Sequence, residues 1–227
     1  MYYLAIDIGA SSGRHIIGYY RDGKINIEEI HRFENKLTEK DGHLCWDTKR
    51  LFSEIVLGIQ KCKQIGKVPK TLGIDCFGVD FVLLDNNNNV LGNTVAYRDS
   101  RTQGIDKEVY KLISDDRLYV TTGIANQIFN TIYQLFALKK ENENLIKEAD
   151  RFLLLAEYFT YRLTGKKFNE YTNATTTQMV NAKTKQFDDK IIKAIGLPFE
   201  IFGELVMPGY KVGCFTPEIE NEVGFNA

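Results

Sequence analysis

"DIGASSGR", residues 7–14, lies between two short apolar runs, Tyr3 to Ile8 and His15 to Tyr20. Runs of β-formers on either side of small residues read as two strands joined by a turn. The inner letters, Gly9-Ala10-Ser11-Ser12-Gly13, also satisfy the G-x-S-x-G pattern of a hydrolase nucleophile elbow, with Ser11 as nucleophile. That elbow requires a helix after the serine, yet Arg14 to Tyr20 is β-rich and leads into Asp22-Gly23, a strong two-residue hairpin signal. No Asp and His pair follows Ser11 in the manner of a triad, so the hydrolase reading lacks its context. A phosphate-gripping turn fits better. Backbone amides of small residues can converge on an anion with no side chain in the way. Ala10, Ser11, Ser12 and Gly13 would form that cradle, with Arg14 adding a planar cation suited to phosphate oxygens. Asp7, at the end of the first strand, is the candidate to hold Mg²⁺ directly or through water. A plain hairpin connection is the alternative.

Outward from this turn, Ile25 to Ile30 supplies a third strand and completes a meander. Asp47 is placed to cap a helix whose apolar stripe, Leu51, Phe52, Ile55, Val56, Ile59 and Cys62, has helical spacing, with Gly66 beyond its end. Leu72 to Cys76 reads as a buried strand, and Val79, Phe81 and Leu83 alternate into the polar turn Asp85 to Asn89, from which Val90 and Leu91 return. The second half is mostly helical: Thr131 to Ala149, an apolar strand Phe152 to Leu155, then Glu157 to Leu163 closed by Gly165. Strands in a meander followed by alternating helices and strands suggest an α/β layered domain. There is no Pro- or Ser-rich linker and no repeat of solenoid period.

Composition narrows the function classes. The chain has 227 residues, with 29 Lys and Arg against 30 Asp and Glu, a formal net charge of -1. Such a balance lacks the concentrated positive charge of a nucleic-acid or membrane-surface binder. The N-terminus has no basic region or long apolar run of the signal-peptide kind, so a cytoplasmic location is expected. Cys45, Cys62, Cys76 and Cys214 show no C-x-x-C spacing, and His15, His31 and His43 form no paired ligand set, so free thiols and no structural zinc are expected.

Residues 7–14 resemble the first phosphate-binding hairpin of the FGGY family of carbohydrate kinases, within the actin, Hsp70 and hexokinase superfamily. The Ala-Ser-Ser-Gly-Arg form is similar to that of its rhamnulokinase branch, where most of the family has Thr after the glycine. Five further blocks run in order: "HRFEN" at 31–35, "GIDCFGVDFVLLD" at 73–85, "AYRDSRT" at 96–102, "YRLTGK" at 161–166 and "EYTNATTTQ" at 170–178. The resemblance implies an actin-like ATPase, ribonuclease H-like α/β fold: the meander extended by further strands, with helices on both faces. It implies ATP-dependent phosphorylation of L-rhamnulose at its 1-hydroxyl, with ATP and Mg²⁺ as cofactors. The sugar would lie against Phe77 and Gly78, with Tyr97, Arg98 and Asp99 at or near the pocket wall. Phe77 stands where that branch more often has Trp; an aromatic face is kept and an indole donor lost.

Each of these residues has a second reading. Phe77 and Tyr97 also read as core aromatics, Asp75 and Asp80 as solvated carboxylates at strand ends, and Arg98, Asp99 and Arg101 as a surface ion network. Glu170 to Ala174 reads as a turn rather than a substrate contact. The family's general base, an Asp in a His-Asp-Thr type segment, has no match here and is expected beyond Ala227. Residues 1–227 thus read as the N-terminal, sugar-binding domain of a kinase, inactive alone, whose nucleotide-binding partner is its own missing C-terminal domain. Two alternatives stay open: a kinase for another ketose or polyol, and a non-catalytic module that binds sugar or phosphate.

Overall fold

The structure, a computed structural model, describes all 227 residues. Its main sheet has four strands in the order β3-β2-β1-β6, built from β1 (Tyr2–Ile8), β2 (Ser12–Arg21), β3 (Lys24–Glu34) and, after the intervening elements, β6 (Pro69–Cys76). The first three form the expected antiparallel meander. Asp22 and Gly23 both take the left-handed conformation that a two-residue turn demands. A second hairpin, β4 (Leu37–Lys40) and β5 (His43–Trp46), turns in the same way on Asp41-Gly42. Helix α1 (Thr48–Gln64) then crosses to β6, which runs parallel to β1 with Asp7 opposite Asp75.

Alternation along β1 decides where the core lies. Leu4, Ile6 and Ile8 point inward with Ile17 and Phe33, and α1 covers them through Leu51, Ile55 and Ile59. On the opposite face Tyr3, Ala5, Tyr20, Ile25 and Ile27 are exposed. This sheet therefore carries its helices on one face and not on both. The two-sided arrangement appears instead on the smaller sheet of β7 (Phe81–Leu84), β8 (Val90–Leu91) and β9 (Arg151–Leu154), ordered β8-β7-β9. Every residue of β7 is buried. Val82, Leu84 and Leu153 face the first core, whereas Phe81, Leu83, Phe152 and Leu154 face a second.

That second core is helical. It gathers α2 (Ile105–Val109), α3 (Asp115–Thr122), α4 (Thr131–Glu141), α5 (Glu143–Glu148) and, later in the chain, α8 (Asp189–Ala194). The single helix expected from Thr131 to Ala149 is two, because Asn142 leaves the helical region at φ -151°, ψ 83°. Helix α6 (Leu155–Thr164) packs Tyr158, Phe159 and Leu163 on the first core and ends on left-handed Gly165. The block at 170–174 is not a plain turn but the cap and start of a short helix, α7 (Tyr171–Thr175), with the Glu170 carboxylate accepting from the Asn173 amide. Helix α9 (Pro217–Val223) closes the first core against α1. No helix is long and apolar enough to cross a membrane.

Candidate functional site

The chain reverses between β1 and β2 in three residues, Gly9 to Ser11, and its geometry is held from inside. The Gly9 amide donates to the Ser12 carbonyl at 3.0 Å, and Asn35 clamps the loop by donating its amide Nδ2 to the Gly9 carbonyl and its backbone N–H to the Ser11 carbonyl. The carbonyls of Gly9, Ser11 and Ser12 are thus engaged, while the amides of Ala10 and Ser11 and the hydroxyls of Ser11 and Ser12 make no hydrogen bond within the chain. Four donors at one tight turn, with three of its carbonyls turned to other partners, suit an anion. Asn35 belongs to the "HRFEN" block, but its clamp pairs residues 26 positions apart, and spacing gives no hint of it. Gly13 has a different reason to be glycine: a Cβ there would lie 2.1 Å from Cζ of Phe33.

Arg14 is engaged by Asp7. Its Nε and Nη2 both reach Asp7 Oδ2 at 2.8 Å, across the β1–β2 register that sets these residues opposite one another. Asp7 Oδ1 makes no hydrogen bond within the chain, and Asp75 stands beside it on β6. No group of three or more His, Cys, Asp and Glu side chains gathers to hold a metal by protein ligands alone. One or two carboxylates at a phosphate turn nevertheless suit Mg²⁺, which keeps most of its waters and takes further ligands from phosphates.

Beyond the end of β6 stands an aromatic wall. The Trp46 and Phe77 rings are 4.4 Å apart, Phe77 and Tyr97 6.0 Å, and Tyr97 and Phe129 5.6 Å. Arg98 extends it, with Nε donating to Tyr97 Oη at 3.1 Å. Gly78 sits beside Thr176, where a Cβ would come 2.9 Å from the threonine methyl. Phe77, Gly78, Tyr97 and Arg98 are therefore brought to one region, together with Trp46, Phe129 and Thr176, which the sequence reading did not single out. Asp99 is turned inward: Oδ1 accepts from His43 Nδ1 and the Arg101 amide, and Oδ2 from the Leu44 amide. Burial pushes its carboxyl upward, but these hydrogen bonds outweigh burial and hold it below its ordinary value.

Two carboxylates, Asp80 and Glu157, prove to be buried. Asp80 is 0% exposed rather than solvated at a strand end; it accepts from Trp46 Nε1 at 2.6 Å, the Tyr97 amide at 3.0 Å and Gln134 Nε2 at 2.9 Å. Burial raises its carboxyl to about 6 despite these donors. Glu157, at the start of α6, accepts from the Glu170 amide and Asn173 Nδ2, and burial raises it to about 7. It lines a cavity along β6 with Asp75, Cys76, Gly78 and Thr176.

The pattern for the FGGY family of carbohydrate kinases, N-terminal domain, matches residues 2–227. The chain belongs to that family. Among relatives, a rhamnulokinase of Halalkalibacterium halodurans is 52% identical over 99% of this chain and 48% of its own length. A rhamnulokinase of Oceanobacillus iheyensis is 50% identical over 97% of this chain and 47% of its own length. This FGGY chain thus spans about half the length of the relatives it matches. In fold it is similar to the crystal structure of gluconate kinase from Lactobacillus acidophilus, with a TM-score of 0.87 over 99% of this chain and 45% of that one, at 21% identity. That likeness shows a shared fold.

Proposed function

We propose that this chain is the N-terminal domain of an ATP-dependent kinase that transfers the γ-phosphoryl group to the 1-hydroxyl of L-rhamnulose. The observation that carries the reading is the Gly9–Gly13 turn, whose free amides and hydroxyls have no partner inside the chain, in a sequence half identical to rhamnulokinases. Phosphoryl transfer asks a protein mainly for positioning and charge stabilisation. Ala10, Ser11 and Ser12 would hold phosphate oxygens, and Asp7, with its free Oδ1, would hold Mg²⁺ directly or through water. When bound, ATP and Mg²⁺ supply the transferred group and neutralise its charge.

On the acceptor side, Gly78 lets the Thr176 side chain close against the backbone, and the Phe77 and Tyr97 rings offer apolar faces to a sugar's C–H edges. Arg98 is the exposed donor at the rim. The base that takes the hydroxyl proton belongs to the half of the relatives that this chain does not span. The test is ADP release by the protein expressed at the relatives' full length, on L-rhamnulose and on a panel of ketoses and polyols. A kcat/KM for L-rhamnulose at least about tenfold above the others is expected, worth about 1.4 kcal/mol of transition-state discrimination. Preference for another ketose or polyol overturns the substrate, and sugar or phosphate binding without ADP release overturns the kinase in favour of a binding module.

A further inference from the structure

Asp80 and Gln134 form a buried pair that the phosphoryl chemistry does not use. Gln134, on α4, is 0% exposed, and its amide can be oriented in only one way. Nε2 lies 2.9 Å from Asp80 Oδ1, 2.9 Å from the Phe129 carbonyl and 3.3 Å from the Val79 carbonyl, while Oε1 accepts from Arg101 Nη2 at 3.0 Å. Asp80 spends its remaining capacity on the indole N–H of Trp46 and the backbone amide of Tyr97. Apart from the bond to Arg101, every connection from the pair ends on the aromatic wall or on the turn that carries Gly78. No cation bonds the carboxylate directly: Arg101, whose charge reaches it, bonds Gln134 instead. A core with no other duty is better served by apolar side chains than by an unpaired buried carboxylate.

The backbone beside Gly78 carries a second cost. Val79 is buried and β-branched, yet it has φ 71°, a conformation that such residues rarely adopt. Three side chains hold it there. Thr131 Oγ1 donates to its carbonyl at 2.6 Å, Gln134 Nε2 approaches the same oxygen, and its amide donates to Thr176 Oγ1 at 3.1 Å. The peptide before Val79 is thus fixed from the end of α7 and the peptide after it from α4, two elements distant in sequence. Strain retained under several restraints marks a backbone whose exact placement matters.

We infer that Asp80 and Gln134 are positioning residues for sugar recognition: one buried hub that sets Trp46, Tyr97 and Phe129 as a wall and locks the Gly78–Val79 turn against it. The inference rests on the sugar-kinase reading above, and the experiment separates the two. Trp46 is the chain's one tryptophan and is 2% exposed, so its fluorescence reports directly on the wall. The 227-residue chain, D80N and Q134L are compared by Trp46 emission, acrylamide quenching, far-UV circular dichroism and calorimetric titration with L-rhamnulose, D-xylulose and glycerol. With far-UV spectra retained, both variants are expected to show red-shifted, more readily quenched Trp46 and sugar binding at least tenfold weaker. Equal sugar affinity in variants and parent overturns the hub. If the parent binds none of the three ligands, the sugar reading fails on its own, and Trp46 decides the hub: unchanged emission and quenching in D80N overturn it, and a loosened Trp46 supports it. Should D80N and Q134L not fold, W46F removes only the indole donor and T131V only one restraint on Val79. Each is then titrated by calorimetry, where tenfold weaker binding supports the hub and unchanged binding overturns it; if the parent is silent there too, an unchanged Trp46 emission in T131V overturns it.

Discussion

A methyl group on Gly13 would meet the Phe33 ring at 2.1 Å, so this glycine answers to packing as well as to the tight turn beside it. Gly13→Ala is expected to cost about 1–3 kcal/mol, the usual range for overpacking, measured as a lowered denaturant midpoint. Phe33→Leu in the same chain should recover part of that loss, and a double-mutant cycle with no coupling would refute the contact. Glu157 gives a residue-scale prediction of another kind. Its folded value of about 7 stands above the ordinary 4.5, so the stability it contributes is complete below the ordinary value and is lost as pH rises through 7. Glu157→Gln lacks that dependence. The stability of the parent relative to E157Q should therefore fall from pH 5 to pH 8, by at most about 1.4 kcal/mol per pH unit. Denaturant midpoints at pH 5, 6.5 and 8 measure it, and parallel profiles would rule it out. Neither feature was legible in the sequence. Glu157 reads as an ordinary acidic residue in the first turn of a helix, and only the fold of residues 170–173 over it creates the burial.

At the scale of elements, signals carried by neighbouring residues were legible and those carried by distant ones were not. Asp47 sits one residue before α1, and its Oδ1 accepts from the Arg50 amide at 3.0 Å, as its position in the pattern implied. Asp47→Ala should cost about 1 kcal/mol by leaving that amide unpaired, which for a chain of this size lowers the melting temperature by about 2–4 °C. Restoration by Asp47→Ser and not by Asp47→Leu would identify capping as the cause. The meander was readable from Asp22-Gly23 and alternation, whereas the equivalent Asp41-Gly42 hairpin is masked by the charged residues around it. The break at Asn142 was missed because Asn disfavours a helix only mildly and Leu138 and Leu145, seven positions apart, keep one helical phase across the polar residues between them. The turn at Gly9 to Ser11 was legible because its small residues lie next to one another in the chain. The aromatic wall was half legible: Phe77, Gly78 and Tyr97 lie in quotable blocks, but Trp46 and Phe129 join them only through contacts across 31 and 32 positions.

For the whole molecule, the arrangement of β7 and β9 decides how it unfolds. Val82, Leu84 and Leu153 belong to the first core, and Phe81, Leu83, Phe152 and Leu154, on the same two strands, belong to the second. Neither core can lose its packing without stripping one face of strands that the other still needs. Asp80, next to Phe81, ties the two further, since it joins Trp46 of the first core to Gln134 on a helix of the second. The chain is larger than most domains that unfold in one step, and its two cores of equal size would ordinarily suggest two transitions. Shared strands argue for one. Calorimetry should therefore give a single peak whose calorimetric and van't Hoff enthalpies agree. Trp46 fluorescence, which reports on the first core, should follow the same curve as far-UV circular dichroism, to which the helices of the second contribute strongly. A Trp46 transition separated from the loss of helix by more than a few degrees would mean that the strands between the cores do not couple them. Asp80→Asn then becomes informative at this scale as well. A variant that loosens the wall but keeps one coincident transition assigns the coupling to the strands, and one that splits the transition assigns it to the buried hub.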